Sequence, residues 1–234
     1  MKKVLFAITG LLLAATINAQ SLEEIVNRYS KANMFDKLAK LSTMKITAKM
    51  SMPSMGVELP MQLWMKNPDK IRQVTSFNGQ DIISAFNGTK GYTINPMAGS
   101  STPVEMSATE VKQAKVNMVF RNTLMESFKA GKLTLMGEEN VNNKPAFKIK
   151  ADLEGIPAII YIDKETYFVS KQSITANQGG MSVTVDTYPS DYKEVNGIIM
   201  PTKTSTSLQG MDAVITYEKI EVNIPMEDSI FNLK

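Results

Sequence analysis

The feature that most constrains this chain is a strict alternation of apolar and polar residues, which begins at Met44 and resumes after a turn. From Met44 to Met52 the even positions are Met, Ile, Ala, Met and Met, and the odd positions are Lys, Thr, Lys and Ser. Residues 53–56, Pro-Ser-Met-Gly, are typical of a turn, and the alternation continues at Val57, Leu59, Met61, Leu63 and Met65. Successive side chains of a strand point to opposite faces of a sheet. The segment is therefore predicted to be a β-hairpin with one apolar face.

Pairs of turn-forming residues recur along the rest of the chain, at a spacing of about ten residues in its β-rich parts. They are Asn67-Pro68, Asn78-Gly79, Asn87-Gly88, Asn142-Asn143, Glu154-Gly155, Gln178-Gly179-Gly180, Asn196-Gly197 and Gln209-Gly210. Strands joined by tight turns favour an antiparallel meander over a fold built of βαβ units. We therefore predict a mainly β (α+β) fold with a strongly curled antiparallel sheet of about ten or eleven strands.

Two segments depart from this pattern and are predicted to be amphipathic helices. The first begins with Ser21 and Glu24, which have the spacing of a capping box, and is expected to end near Asn33. The second begins in the same way at Ser107 and Glu110 and is expected to run to about Lys129. Its apolar stripe is wider than one packed face requires and contains Val111, Ala114, Met118, Val119, Phe120, Leu124, Met125 and Phe128. On the concave side of the sheet, these helices would enclose either a solid core or a cavity.

The composition excludes several kinds of catalytic and metal site. The chain has 234 residues, and neither cysteine nor histidine is among them. The sequence therefore has no disulfide, no thiolate nucleophile, no Ser-His-Asp triad and no zinc or iron–sulfur site based on cysteine. Two Ser-x-x-Lys matches, Ser42 with Lys45 and Ser190 with Lys193, are about as many as chance provides. We predict a protein that is not an enzyme, with no catalytic residues, no metal site and no cofactor.

The first 19 residues have the layout of a secretory signal peptide. Lys2 and Lys3 precede an apolar run, residues 4–17, that is shorter than the roughly 20 residues needed to span a bilayer. Cleavage is expected after Ala19 and would leave a single domain, residues 20–234. Removal of the two lysines leaves 24 of the 26 basic residues against 23 acidic ones, so the mature chain is nearly neutral. It therefore lacks the excess of positive charge that favours binding to nucleic acid. We predict a periplasmic protein.

Methionine is unusually frequent, and it is concentrated in and near the first predicted hairpin. The chain has 17 methionines, and this region contains those at positions 34, 44, 50, 52, 55, 61 and 65. Methionine is unbranched and polarizable, so it suits a deformable apolar cavity. Two alternatives remain open at this point. The residues fill an ordinary core, or Met50, Met52 and Met55 form a thioether site for Cu(I).

Three segments resemble the LolA family of periplasmic carriers of outer-membrane lipoproteins. Residues 62–69, Gln-Leu-Trp-Met-Lys-Asn-Pro-Asp, are similar to the family's strand-to-turn motif, and residues 86–96 are similar to its DGKxxWxYNP segment. Residues 217–225 and 228–231 resemble its closing strand. The resemblance implies a half-open antiparallel β-barrel lidded by helices, with an apolar cavity for lipoprotein acyl chains. Asn67 stands at the lid-lock position, where the family has an arginine, and Tyr92 stands where tryptophan is usual.

The predicted function is that of a periplasmic carrier that binds acyl chains of lipoproteins, or of a related lipid, and ferries them towards the outer membrane. The alternative is a periplasmic sensor or regulatory module that detects acylated ligands with the same fold. Besides the acylated ligand, the expected partners are an inner-membrane lipoprotein-releasing transporter and an outer-membrane acceptor, and the chain is expected to be a monomer. The residues predicted to line the cavity are Met50, Met52, Leu59, Met61, Leu63, Met65, Phe86, Tyr92, Ile94, Val119, Phe120, Leu124 and Met125.

Overall fold

The computed structural model describes residues 20–178, 181–208 and 211–233. The predicted signal peptide and its cleavage site after Ala19 lie outside the described residues. So do the turn residues 179–180 and 209–210.

The described residues form four α-helices and thirteen strands. The helices are α1 (Leu22–Ala32), α2 (Phe35–Leu38), α3 (Ala108–Val116) and α4 (Thr123–Lys129). The strands are β1 (Thr43–Met52), β2 (Val57–Lys66), β3 (Lys70–Phe77), β4 (Gln80–Asn87), β5 (Gly91–Asn95), β6 (Ser100–Glu105), β7 (Leu133–Val141), β8 (Lys144–Leu153), β9 (Ile156–Asp163), β10 (Val169–Gln178), β11 (Met181–Val195), β12 (Ile198–Leu208) and β13 (Met211–Val222). No helix among them is long and apolar enough to cross a bilayer.

All thirteen strands pair in one antiparallel sheet, in the order β6-β5-β4-β3-β2-β1-β13-β12-β11-β10-β9-β8-β7. The pairing of β1 with β13 joins two meanders, and the segment between β6 and β7 connects the two edges of the sheet. The predicted class, an antiparallel and mainly β fold, is confirmed. The sheet has more strands than expected, partly because β6, with the sequence Ser-Ser-Thr-Pro-Val-Glu, has no alternating pattern.

The first hairpin forms as predicted, and its pairing register defines the two faces of the sheet. The even residues of β1 lie opposite the odd residues of β2, so that Met44 pairs with Met65 and Met50 with Leu59. Directly paired residues share a face. Because the helices pack on this side, we call it the inner face. The most buried residues of the first hairpin on this face, each at most 4% exposed, are Met44, Ile46, Ala48, Met61 and Met65.

The first predicted helix is confirmed. Ser21 caps α1, since its Oγ accepts a hydrogen bond from the backbone N–H of Glu24 at 3.1 Å, and the helix ends at Ala32 with Asn33 as its C-cap. The carboxylate of Glu24 forms an ion pair with Arg28 at 2.7 Å. This helix contributes Ile25 and Val26, both fully buried, to the core.

The prediction of one helix from Ser107 to Lys129 is wrong, because two helices form there. Ser107 and Glu110 do form a complete capping box at the start of α3, but that helix ends at Val116 with Asn117 as its C-cap. Asn122 then caps α4 by accepting a hydrogen bond from the N–H of Met125 at 3.0 Å. Asparagine favours caps over helix interiors, because its side chain bonds to nearby backbone groups. The two asparagines therefore leave residues 117–122 outside both helices.

Candidate functional site

The inner face carries two apolar clusters of different composition. The methionine-rich cluster has the buried members Leu38, Leu41, Met44, Ile46, Ala48, Met61, Met65, Met118, Phe120, Ile198, Met200 and Ile220. The aliphatic cluster has the buried members Ile25, Val26, Leu124, Phe147, Ile149, Ala151, Leu153, Ala158, Ile160 and Ile162. Five of the twelve residues in the first cluster are methionine, and none of the ten in the second is.

Residues 106–132, which we call the lid segment, cover both clusters. Met118 and Phe120, in the connection between α3 and α4, are 2% and 4% exposed within the methionine-rich cluster. Leu124 of α4 is 4% exposed within the aliphatic cluster. At its start the lid segment lies directly on β5, since a Cβ atom added to Gly91 would lie 2.2 Å from the Sδ of Met106. Only glycine permits this approach.

Arg121 attaches the lid segment to the β8–β9 hairpin. Its guanidinium donates hydrogen bonds to the carboxylate of Glu126, in α4, and to that of Glu154, in the hairpin turn, the latter at 2.7 Å. The hydrogen bond with Glu126, ahead of the contributions of Glu154, raises the pKa of Arg121 above its usual value. Asn122 adds a hydrogen bond to the Oγ of Ser30 in α1, at 2.7 Å. The sequence analysis did not identify Arg121, because its partner Glu154 lies 33 residues away along the chain.

Asn67, at the predicted lid-lock position, forms its hydrogen bonds with the connection between α2 and β1. Its Nδ2 donates to the backbone oxygens of Ala39 at 3.0 Å and of Leu41 at 2.8 Å, and its N–H donates to the oxygen of Ser42 at 2.9 Å. Asn67 therefore holds α2 against the end of β2. In this chain, the attachment of residues 117–122 comes from Arg121 and Asn122 instead.

The structure brings most of the predicted lining residues to the inner face. Those of the first hairpin share its register, and Phe86 of β4 lies opposite Ile71 and Gly91 on the same face. Val119 and Phe120 pack with the methionine-rich cluster, whereas Leu124 and Met125 belong to the aliphatic cluster. The predicted lining residues of the lid segment are thus divided between the two clusters. Whether these residues contact a lipid stays a prediction.

Tyr92 and Ile94 lie on the opposite face, which corrects their predicted position. They pair with Ala85 and Ile83, the neighbours of the inner-face residues Phe86 and Ser84. This outer face is apolar here because the C-terminal segment packs on β3 and β4. Arg72 donates a hydrogen bond to the oxygen of Ile230 at 2.8 Å, and Phe231 is fully buried. The apolar residues of β5 lie on this outer face, and Gly91, Thr93 and Asn95 lie on the inner one. The alternation in β5 therefore indicates an apolar side but not which side of the sheet it is.

Three partly buried tyrosines lie at or near the two clusters. Tyr29 of α1 packs against the aliphatic cluster and Tyr217 of β13 against the methionine-rich cluster. Burial raises the pKa of Tyr192 in β11 far above its usual value, and the nearby Tyr29 and Tyr217 raise it further. Burial likewise raises the pKa of the other two tyrosines. These groups stay neutral at physiological pH, so they add polarity to the inner face without adding charge.

A small cavity lies between the helices and the sheet. Its volume is about 90 Å³, and it is lined by Tyr29, Val116, Asn117, Thr123, Leu124, Leu153, Ile160, Val169 and Gln172. Pockets that enclose small-molecule ligands have volumes of about 300–1,000 Å³. An acyl chain would therefore have to displace the lid segment or rearrange the methionine side chains.

Towards the β1–β2 turn, the inner face is only partly covered. Met50, Met52 and Val57 are half-buried and continue the apolar surface from the methionine-rich cluster to the tip of the hairpin. Met55, the third residue of the thioether alternative, is 60% exposed in the turn itself. Among the residues that the structure describes, no group of three or more acidic side chains is arranged to hold a metal ion.

No protein-family model matches this sequence, and no curated protein matches it either. Several solved structures do share its fold. A LolA superfamily protein from Nitrosomonas europaea has 11% sequence identity and a TM-score of 0.60, over 92% of this chain and 98% of that protein. A domain named for outer-membrane lipoprotein sorting, from Vibrio parahaemolyticus, has 14% identity and a TM-score of 0.57, over 90% of this chain and 97% of that one.

A DUF1329 family protein from Desulfovibrio piger is similar to the same degree. It has 15% identity and a TM-score of 0.57, over 90% of this chain and 99% of that protein. Likenesses at such low identity establish the fold alone. The chain has a LolA-like fold, as its three sequence segments indicated.

Proposed function

We propose that this protein is a periplasmic carrier that is not an enzyme. It shields the acyl chains of a lipoprotein, or of a related lipid, on the methionine-rich half of its inner face and ferries them towards the outer membrane. The observation that carries the proposal is the methionine-rich cluster, in which four buried methionines of the sheet lie beneath the lid segment and a fifth, Met118, belongs to that segment. The LolA-like fold, shared with a domain named for lipoprotein sorting, supports it.

The energetics of acyl transport fit a wall that adapts to its ligand. Exposure of an acyl chain to water costs about 0.8 kcal/mol per CH₂ group, so a chain of about 16 carbons does not cross an aqueous compartment unaided. In the closed conformation Met118 and Phe120 occupy the apolar surface that the ligand would cover. Binding thus exchanges one set of apolar contacts for another, and the small difference between them allows release.

Breaking the polar attachment of the lid segment is expected to cost little. The ion pair between Arg121 and Glu154 is partly exposed, with 29% and 35% of the two side chains accessible. Exposed pairs contribute about 0–1 kcal/mol. The main resistance is therefore the burial of Met118 and Phe120, which a bound acyl chain replaces. The proposed partners are an acylated ligand, a lipoprotein-releasing transporter of the inner membrane and an acceptor of the outer membrane.

The decisive experiment is native mass spectrometry of the protein purified from periplasm without detergent, followed by solvent extraction of the ligand. We expect acyl species to be released and the mature chain to begin at Gln20. A fluorescent fatty acid should also bind to the delipidated protein. A ligand-free mass together with no uptake of the probe would overturn the proposal, because the methionines would then fill a solid core.

Charge substitutions test the location of the site. Met65→Asp, at a position 1% exposed, should abolish probe binding. Because a buried unpaired charge also destabilises the fold, Met50→Asp at a half-buried position of the same face is measured in parallel. Met136→Asp is the control, since Met136 of β7 is 53% exposed. Unchanged probe binding by Met50→Asp would contradict the assignment of the wall.

Transfer assays separate the carrier from a sensor. A carrier should release the bound probe to acceptor vesicles or to an outer-membrane acceptor protein. A sensor would instead retain the probe and change its affinity for a membrane-anchored partner. Retention with such a change in affinity would contradict the carrier function.

A further inference from the structure

Five hairpins of the sheet end in tips without a charged residue. The tips that the structure describes in full are residues 52–57, 77–80 and 95–100, and we call these three the uncharged rim. The other two hairpins are those of β10–β11 and β12–β13, whose turn residues lie outside the described residues. All five tips lie within longer uncharged stretches of the sequence, namely residues 50–57, 73–80, 91–104, 172–185 and 204–211. Each of these stretches is bounded on both sides by charged residues. Charge is therefore excluded from the tips in five separate parts of the chain.

The pairing register places the three rim tips at one end of the sheet, together with the paired strand ends Gln178 and Met181, and Leu208 and Met211. Ser51 pairs with both Glu58 and Val214, which brings the β1–β2 tip to the same end as the paired ends of β12 and β13. The pairings of Met61 with Thr75 and of Ile83 with Ile94 place the next two tips beside them. The opposite end is rich in charge, as in the β2–β3 and β9–β10 connections, where residues 66–70 and 163–165 each include both signs.

Two of the tips present exposed methionines on short, defined turns. Met55 is 60% exposed and Met97 is 54% exposed. Each belongs to a single 3-10 turn that begins with proline, and each turn is followed by a glycine with positive φ, 63° at Gly56 and 81° at Gly99. Met181 and Met211 begin β11 and β13 at the same end of the sheet. Methionine is therefore repeated at this end of the sheet.

The rim continues the partly covered apolar surface of the inner face. Met50, Met52 and Val57 lead from the methionine-rich cluster to the β1–β2 tip. The charged residues next to this tip, Lys49 and Glu58, have the register of the outer face and form an ion pair with each other at 3.2 Å. The β8–β9 hairpin reaches the same end, and the charge of Glu154 in its turn is paired with Arg121 of the lid segment.

We propose that the uncharged rim docks onto a lipid bilayer, with Met55 and Met97 entering its interfacial region. This inference rests on the proposed function, since docking would let an acyl chain pass between the membrane and the inner face without crossing bulk water. A bilayer fits these tips better than a folded protein does, because its interfacial region deforms around exposed apolar side chains that come from separate hairpins. Entry of the rim also requires no charge to be desolvated.

The test is flotation of the mature full-length chain with vesicles of phosphatidylcholine, which have no net charge. The double variant Met55→Glu/Met97→Glu should lower the vesicle-bound fraction at least tenfold, because it brings two carboxylates to the interface. Met136→Glu is the matched control, because Met136 is 53% exposed on β7, away from the rim, and this variant should bind like the unmodified chain. Uptake of a fluorescent fatty acid in the absence of vesicles should be unchanged in both variants.

Three results would overturn the docking surface. They are no flotation of the unmodified chain, equal flotation of the rim variant, and flotation that needs anionic lipid and disappears at high salt. A loss of cargo transfer to a purified acceptor protein without any vesicle binding would likewise assign the rim to a protein partner. The proposed function is judged separately by fatty-acid uptake. Flotation through the rim without uptake would leave the docking surface in place and remove the carrier function.

Discussion

The two halves of the inner face share one sheet and one alternating pattern, but they differ in the kind of apolar side chain that they bury. The methionine-rich half packs on β1, β2, β12 and β13, and the aliphatic half packs on β8 and β9 together with α1 and α4. Isoleucine and valine have one strongly preferred χ1 rotamer, whereas methionine has three flexible torsions. The difference predicts that one sheet combines a wall that holds its shape with a wall that adapts to a ligand.

The lid segment connects the two halves in a way that follows this difference. On the aliphatic side α4 packs on α1 and β8, and the Oγ of Ser127 donates a hydrogen bond to the oxygen of Asp152 at 2.9 Å. On the methionine-rich side the contacts come from Met118 and from Phe120, in a connection outside both helices. The aliphatic half is therefore expected to anchor the lid segment while its other part opens.

The largest expected effect is a difference in stability between equivalent truncations in the two halves. Ile149→Ala should lower the free energy of unfolding by about 4 kcal/mol, and Met65→Ala by about 2 kcal/mol, because flexible neighbours partly fill the second cavity. Ile149 is fully buried and Met65 is 1% exposed, so the two sites are comparable. Urea unfolding measures both values. Equal losses would break the distinction between a rigid and an adaptable half.

The next effect concerns ligand affinity at constant hydrophobicity. The triple variant Met61→Ile, Met65→Ile and Met200→Ile should bind a fluorescent fatty acid about tenfold more weakly, which is about 1.4 kcal/mol, because branched side chains adapt less. Ile160→Met in the aliphatic half is the control and should leave the affinity unchanged. Titration of the probe at equal folded fractions measures both. Unchanged affinity in the triple variant would show that adaptability is not required.

A smaller effect is expected at the attachment of the lid segment. Arg121→Ala removes its hydrogen bonds with Glu126 and Glu154 and should speed uptake of the probe about threefold, since a partly exposed pair contributes less than about 1 kcal/mol. Hydrogen exchange should increase at residues 117–122 and stay unchanged in β8 and β9. Asn67→Ala is the comparison, because Asn67 contacts the α2–β1 connection. If only Asn67→Ala speeds uptake of the probe, then Asn67, and not Arg121, attaches the lid segment.

The smallest effect lies on the outer face and should spare both halves. Hydrogen bonds from Lys66, and then from Lys70, lower the pKa of Asp228 to about 2. The folded pKa is depressed, so the stabilisation by this carboxylate is present above its unfolded pKa and is lost as the pH falls through about 2. Hydrogen exchange of residues 224–233 should rise below pH 4, and Asp228→Asn should remove that pH dependence. A parallel change in fatty-acid binding between pH 4 and 2 that Asp228→Asn also removes would contradict the separation of the two faces.

The sequence indicated the strands and turns more reliably than the faces of the strands. The alternation from Met44 to Met65 predicted both the hairpin and its inner face, because every second residue of each strand there is apolar. In β5 the same reasoning placed Tyr92 and Ile94 wrongly. The apolar residues of that strand lie on the outer face, beside β4, which with β3 carries a C-terminal segment more than 130 positions away in the sequence.

The sequence predicted the types of residue in the candidate site, but it did not predict the hydrogen bonds that hold the lid segment and α2 in place. The clustered methionines and the wide apolar stripe after Ser107 predicted an adaptable wall beneath a helical cover. The methionines do cluster on the inner face, but Met118 and Phe120, which cover them, lie in the connection between two helices. The adaptability of the wall stays a prediction. The break at residues 117–122 depends on Asn117 and Asn122 acting as caps. The asparagines are visible in the sequence, but the contacts of Arg121 and Asn67 are not, because their partners come from other elements.

The sequence by itself determined what neighbouring residues decide: the strands, their turns, the capped starts of α1 and α3, and the kinds of side chain available for an apolar wall. Only the tertiary structure decided that β1 pairs with β13, that the lid segment spans two clusters, and that the uncharged tips meet at one end. Periodicity and capping act over a few residues and can be read along the chain. Pairing of distant strands depends on which apolar faces become buried against each other, and that depends on the whole chain.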